Sequence, residues 1–549
     1  MNISQQTRGR IGLTCLAVSV VLVWFCGLEW RALFSPDEGR YADIAREMLQ
    51  SGDWVTPRLN GLKYFEKPPL QYWATAVAFA LFGADEWTAR LWPALTGFLG
   101  MVFTALAGAR LAPRTRAVET ALMFAGCWAY FLGAQFLTLD MGLTFFLTAA
   151  LLAFLLSRAP GTPPAAERGW ILAAWAAMAL AVLSKGLVGV VLPALALLVY
   201  VAIERDWRLL RRLLWWPGLT VFSVIAVPWF LLVQQRNPEF FRFFFIYEHF
   251  ERYLLPEHHR PGPWWYFAPV LLLGLMPWTA RLPGALARGW GAPAVAGLRV
   301  DRFLVIWAAV ITVFFSASES KLPGYVLPAV PALLLLMARN APGGVRDPSA
   351  ATSLLAGAGL LALAALAPSL HAPGGPVAMP AAYSAWLLGA GSVLLAAALA
   401  ALALRRRAGA LTVAVVGMGS LLALQLALSG VHVLDQDFSS ERLIERVAGE
   451  DKIFPRDPPF YSVAMFDHSV PFYLGRPVTL VGNKNELGPG IASEPDKYVR
   501  SLDEFVARWN RDAEAFAIMS PSLYEKLRGE GLPCRVVVRD ERRVLISRR

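Results

Sequence analysis

The chain has 549 residues, of which 56% are hydrophobic and only 17% charged, and it contains 20 Trp and 32 Phe. Soluble domains carry about 25% charge, so composition excludes an ordinary soluble protein and implies a bilayer-embedded chain with aromatic belts. The net charge of +11 is scattered between apolar segments. That pattern fits cytoplasmic loops and contact with anionic membrane lipids, and argues against nucleic acid as a partner.

The first apolar run, Ile11 to about Trp30, follows Arg8 and Arg10. It is long enough to cross about 30 Å and has no A-x-A site after it, so it is read as a retained helix rather than a signal peptide. Further apolar runs fall near 88–109, 117–136, 140–157, 169–184, 186–203, 213–233, 264–280, 303–318, 324–338, 351–368, 383–404 and 408–430. Together they predict about thirteen spans. Gln71–Phe82 is apolar but short, and is read as a helix lying at the interface.

After Gly430 the composition turns polar. Tyr461–Met465, Val478–Val481, Ala515–Met519, Arg535–Val538 and Arg543–Ile546 read as strands. Ser501–Trp509 and Pro521–Gly529 read as helices between them, giving an α/β domain. Cys15, Cys26 and Cys127 lie in apolar runs and Cys534 stands alone in the tail, which gives no disulfide framework or zinc knuckle. The expected fold is an all-α polytopic membrane domain over residues 1–430, with large loops at 34–87 and 234–263, followed by a small soluble α/β domain over 431–549.

The charge pattern orients the chain. With the N-terminus inside, the inner loops hold Arg110/Arg114/Arg116, Arg158/Arg168, Arg205/Arg208/Arg211/Arg212, Arg281/Arg288/Arg299/Arg302, Arg339/Arg346 and Arg405/Arg406/Arg407. The outer connections near 137–139 and 369–382 carry no Lys or Arg, as the positive-inside rule requires. Counting Gln71–Phe82 as a span would break this pattern. The same topology puts the C-terminal domain outside the cytoplasm. It also gathers Asp37, Glu38, Glu66, Lys67, Asp140, Lys185, His249, Arg252, His258, His259 and Lys321 on the outer side.

Each outer group has a plain reading and a functional one. In Ser35-Pro36-Asp37-Glu38, a helix start with Ser35 as N-cap and Glu38 closing a capping box explains Glu38 better than Asp37. A carboxylate at the mouth of a membrane cavity is costly without a task. The following run through Arg40, Asp43, Arg46 and Glu47 reads as an amphipathic surface helix with a mostly solvated face. Tyr64-Phe65-Glu66-Lys67-Pro68-Pro69 places an acid and a base before a rigid turn, as a simple ion pair or as preorganised site groups. Asp140 either caps its span or serves the cavity. Lys185-Gly186 is either a snorkelling lysine or a phosphate ligand. Lys321 and Tyr325 share a short outer turn. His249, His258 and His259 near carboxylates have the composition of a divalent metal site such as zinc, although their spacing matches no standard motif. Arg252 suits bidentate phosphate contact. Clustered cations beside a lipid point to a phosphate-bearing lipid ligand.

The segments S-P-D-E-G-R-Y, Y-F-E-K-P-P-L-Q-Y-W, L-S-K-G, E-H-F-E-R-Y with P-W-W-Y-F, and S-K-L-P-G-Y-V-L-P resemble one family. It is the bacterial branch of the polyprenyl-phosphate-sugar glycosyltransferases with the C-type membrane fold, related to protein O-mannosyltransferases. The resemblance covers roughly 1–430, and Phe472-Tyr473-Leu474-Gly475-Arg476-Pro477 in the tail also fits. Within that branch the similarity is to the lipid A aminoarabinose transferases. It implies an inverting pentosyl transfer of 4-amino-4-deoxy-L-arabinose from undecaprenyl phosphate to a lipid A phosphate, at the periplasmic face of a bacterial inner membrane. The product would confer resistance to polymyxin and cationic peptides. The resemblance further implies Asp37 and Asp140 as the acids of the site. It implies Lys67, Arg40, Tyr41, Tyr64, Lys185, Arg252, Lys321 and Tyr325 as groups that hold donor, phosphate or pocket, and Glu66, His249, His258 and His259 as the set for any metal. Two rival readings are a related transferase using another sugar or acceptor, and a lipid transporter or flippase. Transporters place charges near the midplane on broken helices, whereas these charges sit in outer loops and at span ends.

Overall fold

The computed structural model describes residues 5–111, 117–251, 261–295, 297–341, 347–369, 381–404, 409–448 and 458–548. They fall into two compact units, one of residues 1–28 and 90–430, the other of Glu29–Ala89 with Val431–Arg549. The composition shift after residue 430 therefore marks the tail, and the first long loop belongs to the same compact unit as that tail.

The first unit is helical. Eight helices among the described residues are long and apolar enough to cross a bilayer: Glu86–Leu111, Leu139–Ser157, Pro164–Lys185, Trp216–Arg236, Val300–Ala317, Ser349–Leu366, Ala382–Leu404 and Gly409–Leu434. Two more runs, read from sequence as single spans, are broken: Ala117–Ala125 with Trp128–Gln135 bends by 65°, and Phe267–Gly274 with Thr279–Trp290 by 110°. The count is thus eight, or ten with each bent pair as one span. The remaining apolar runs form the shorter helices Arg10–Phe25, Val188–Glu204 and Pro323–Arg339.

The breaks have a physical cause and a compensation. Pro277 cannot continue a helix. At Gly126 an added Cβ would lie 2.7 Å from the Gly417 carbonyl oxygen, so only glycine lets that helix pack so closely. Backbone groups freed inside a bilayer must find partners, and here the two breaks supply each other. Trp128 N donates to Met276 O at 3.1 Å, Cys127 Sγ to Gly274 O at 3.2 Å, and Ser420 Oγ to Gly126 O at 2.7 Å.

The second unit is α/β. Its loop portion holds the helix Asp37–Ser51, a hairpin of β1 (Arg58–Leu59) and β2 (Leu62–Lys63), and the helix Leu70–Phe82. Asn60 and Gly61 link the strands with φ of 54° and 75°, the left-handed pair that a type I′ turn needs. Leu70–Phe82 has 13 residues, about 20 Å at 1.5 Å per residue and too short to span. The tail contributes β3 (Phe460–Val463), β4 (Thr479–Val481), β5 (Tyr498–Val499), β6 (Phe516–Met519), β7 (Arg535–Arg539) and β8 (Val544–Ser547). They form one sheet in the order β5-β4-β3-β6-β8-β7. The first four strands run parallel, while β8 is antiparallel to both β6 and β7. Central β3 and β8 are buried throughout and the edge strand β7 is largely exposed, as expected where helices cover both faces. Phe505, Trp509, Tyr524 and Leu527 cover the sheet from the helices Leu502–Arg511 and Pro521–Gly529. Ser501 and Ser520 start those helices by accepting from Glu504 N and Leu523 N.

Two local expectations are corrected. The helix Asp37–Ser51 is no solvated surface helix, since Glu38 through Met48 are all buried. It packs between the Leu70–Phe82 helix and the tail helix Ser469–Leu474, and its charges are satisfied internally. Ser35 does not cap it, because Ser35 Oγ donates to the Asp467 carboxylate. Pro36 occupies the cap position, and Glu38 accepts from Phe34 N at 3.1 Å.

Candidate active site

Sequence-predicted residues collect in two clusters, one in each unit. In the helical unit, Lys185 ends the helix Pro164–Lys185, and Gly186 (φ +85°) turns the chain directly into Val188–Glu204. Asp140 lies in the first turn of Leu139–Ser157, whose cap residue is Thr138. Lys185 Nζ pairs with Asp140 Oδ1 and sits 4.9 Å from the centroid of the Tyr325 ring. Tyr325 is braced by Phe315 at 5.0 Å. A Cβ on Gly324 would lie 2.5 Å from Asp140 Oδ2, so that glycine gives the carboxylate its room. Lys185 is thus clamped on one side by a carboxylate and on another by an aromatic face, rather than snorkelling. An ammonium has three donors and Asp140 takes one. Lys321 lies outside this clamp: it is buried and donates to Ser318 O at 2.5 Å.

In the α/β unit the centre is Arg40. Its Nη1 donates to Asp37 Oδ1 at 2.8 Å, and its Nε and Nη2 grip both oxygens of Glu486 at 2.8 and 2.7 Å. His468 Nε2 lies 2.9 Å from Glu486 Oε1. Burial would raise the Glu486 carboxyl, but the His468 hydrogen bond and the Arg40 charge overcome it and bring it down to about 2. The Arg40 side chain is 9% exposed and that of Asp37 52%, so the guanidinium is a fixed buried post presenting an open carboxylate. Tyr41 flanks Arg40 at 5.7 Å and lies 6.0 Å from the Tyr72 ring. Tyr64 and Tyr72 are buried. Burial first, then neighbouring acidic groups including Glu66, push both phenols up. Lys67 Nζ donates to the Glu66 carbonyl at 2.9 Å.

A second buried network stands beside Asp37. Asp467 accepts from Arg543 Nη1 at 2.7 Å, from Ser440 Oγ at 2.7 Å and from Ser469 Oγ at 2.8 Å, besides Ser35. Burial opposes the ionised form, yet the Arg543 charge and the three hydroxyls hold the carboxyl at about 2. A third group lies further along the same helix. Asp43 accepts from Arg46 and from Asn60 N, and Glu47 accepts from Gly61 N. Burial, with Asp43 nearby, pushes the Glu47 carboxyl up to about 8.

Glu486, His468, Asp467 and Arg543 carry no signal in the sequence that marks them as site residues. Glu486 meets Arg40 across 446 residues and Asp467 meets Ser35 across 432, and the other contacts join separate elements of the tail, so no local spacing announces them. A hint was available in the helix itself, where Asp37/Arg40 and Asp43/Arg46 stand at i, i+3 and already neutralise one another. Of the metal set, Glu66 is half-buried. His249 falls in the π-helical segment Arg242–Glu251, and its side chain, with Arg252, His258 and His259, lies outside the described residues. Among the described residues no three His, Cys, Asp or Glu converge as metal ligands.

Fold and clusters together define a multi-pass membrane protein with carboxylate–cation centres at its helix ends and in its α/β unit. Residues 11–244 match the family model described as dolichyl-phosphate-mannose-protein mannosyltransferase, and 448–548 match the aminoarabinose transferase C-terminal domain. The chain is similar to undecaprenyl phosphate-α-4-amino-4-deoxy-L-arabinose arabinosyl transferase of Edwardsiella ictaluri (strain 93-146), 35% identical over 60% of this chain and 59% of that one. It is also similar to that of Pseudomonas aeruginosa (strain UCBPP-PA14), 34% identical over 59% and 58%. These alignments span less than two thirds of the relatives. The match to the crystal structure of ArnT from Cupriavidus metallidurans bound to undecaprenyl phosphate is nearly complete, with a TM-score of 0.92, 39% identity and 98% of each chain covered. The chain belongs to the aminoarabinose transferase family of membrane glycosyltransferases.

Proposed function

We propose that the chain transfers 4-amino-4-deoxy-L-arabinose from undecaprenyl phosphate to a phosphate of lipid A, at the outer face of a bacterial inner membrane. The observation that carries this reading is the full-length likeness to a transferase bound to undecaprenyl phosphate. The Asp140–Lys185–Tyr325 clamp supports it, as a fixed cation suited to a lipid-linked phosphate.

An oxygen of the acceptor phosphate attacks the anomeric carbon. The bond from that carbon to the donor phosphate breaks, undecaprenyl phosphate leaves with the electron pair, and the configuration inverts. The acceptor phosphate, with a second pKa of about 6, is already largely ionised, so little base catalysis is needed. Asp37, held by Arg40, therefore serves chiefly to orient the reactants. The leaving phosphate gathers negative charge, and preorganised cations stabilise it best. Lys185 is assigned that task, with Asp140 aiming its ammonium and Lys67 and Arg252 assisting. The N-terminus is assigned to the cytoplasm and the tail to the periplasm.

The test is a reconstituted assay with purified donor lipid and lipid A, read by mass spectrometry. A mass gain of one aminopentose on lipid A is expected. Gain of a different sugar, or donor movement across the vesicle without transfer, would overturn the assignment in favour of a sibling transferase or a transporter.

A further inference from the structure

The tail reaches into the Asp37 cluster, and this gives the C-terminal domain a task. Resting on the transfer reaction above, we propose that Glu486 and His468 are positioning residues for Asp37, acting through Arg40. An arginine on a surface helix samples many rotamers. Here both oxygens of Glu486 grip one edge of the guanidinium, at 2.8 and 2.7 Å, which fixes its plane as a bidentate pair does. Nη1 on the same plane then meets Asp37 Oδ1 at 2.8 Å. His468 Nε2, 2.9 Å from Glu486 Oε1, sets the clamp in turn.

The backbone agrees. A Cβ on Gly39 would stand 2.6 Å from Ser469 N and 2.7 Å from the His468 carbonyl carbon, so the tail is pressed against the helix turn that carries Asp37 and Arg40. Glu486 is separated from Arg40 by 446 residues, and no residue of the first loop replaces it in the clamp among the described contacts. The tail is accordingly a working part of the catalytic unit rather than an appended module.

The test uses the full-length protein in the reconstituted assay, with kcat and donor KM measured separately. Glu486→Gln keeps one acceptor oxygen and sets an amide NH2 against the guanidinium, while Glu486→Ala removes the clamp. The expected order of kcat is wild type, then Gln at about tenfold lower, then Ala at about a hundredfold lower, within the range for a misplaced catalytic geometry, with donor KM within twofold throughout. His468→Gln should cost about threefold in kcat. Glu504→Ala, which breaks the exposed Arg508–Glu504 pair of the tail, is the control and should leave both constants unchanged. A folded Glu486→Gln protein that keeps its kcat within twofold overturns the proposal, as does a loss confined to KM. A wild-type protein that makes no aminopentose product points instead to failure of the transfer reading itself.

Discussion

The two charged centres of this protein are built in opposite ways. In the helical unit, Lys185 and Asp140 lie on consecutive long helices, and one ion pair and one ring suffice to hold them. In the α/β unit, Asp37 is held by a relay of Arg40, Glu486 and His468 that draws on both ends of the chain. The Lys185 and Asp140 side chains are only 16% and 20% exposed, so little water screens that single pair. A half-exposed carboxylate near water gains little from one pair and needs a rigid, buried partner to stay in place. Fixity comes from one shielded pair and its ring in one region and from side chains remote in sequence in the other.

This contrast can be broken by mutation. The largest effect is expected at Asp37→Asn, which should lower transfer by about 10²–10⁴-fold, the range for a positioned catalytic carboxylate, while expression and detergent extraction stay intact. Retained activity in the lipid A assay would remove Asp37 from the chemistry. Arg543→Ala should come next. It strips the buried Asp467 of its charge partner, and removing one member of a buried pair costs about 3–5 kcal/mol, read as a lower unfolding midpoint of the α/β unit. Asp467→Asn added to Arg543→Ala should recover part of that loss.

The same pair sets an acid limit. The carboxyl is held at about 2 in the fold against about 3.9 when unfolded. Its contribution is therefore complete above the unfolded value and is lost as pH falls through about 2. Arg543→Ala should flatten that acid limb of the stability profile. In the helical unit, Lys185→Ala should lower turnover by about 10²–10³-fold, as for loss of one preorganised charge-stabilising donor, with Lys185→Arg recovering part. An equal loss of unfolding midpoint would show that the clamp serves stability rather than the leaving phosphate. The smallest effect is expected at Gly39→Ala, where the new methyl meets Ser469 backbone. Overpacking of that kind costs about 1–3 kcal/mol. Activity that falls further than stability would tie the close approach to the position of Asp37.

Much of the fold was readable because its causes are local. Apolar runs marked the helices of the membrane unit, and alternation marked five of the six tail strands. The bends in two of those helices are not legible locally, because the groups that satisfy them come from each other and from Ser420. Asn60-Gly61 is a hairpin signal, but the strands that it joins have two residues each and show no alternation around it. For the site, Asp140, Lys185 and Tyr325 were legible as charges and a phenol at helix ends, and the structure brings them together. Asp37 and Arg40 are legible as residues but not as an exposed carboxylate held by a buried guanidinium. The burial of Arg40 depends on Glu486 and on the Ser469–Leu474 helix, which no window around residue 40 contains.

The joining of residues 29–89 to the tail has a consequence for biogenesis. The ribosome finishes every hydrophobic crossing between the two halves before the last strand of the sheet exists. Until then the Asp37–Ser51 helix has its internal ion pairs but lacks the Glu486 carboxylate that receives the rest of the Arg40 guanidinium, and long loop closure costs only slowly growing entropy. Maturation of this unit is therefore post-insertional, and a chain cut short before Glu486 leaves Arg40 of the first loop without its clamp.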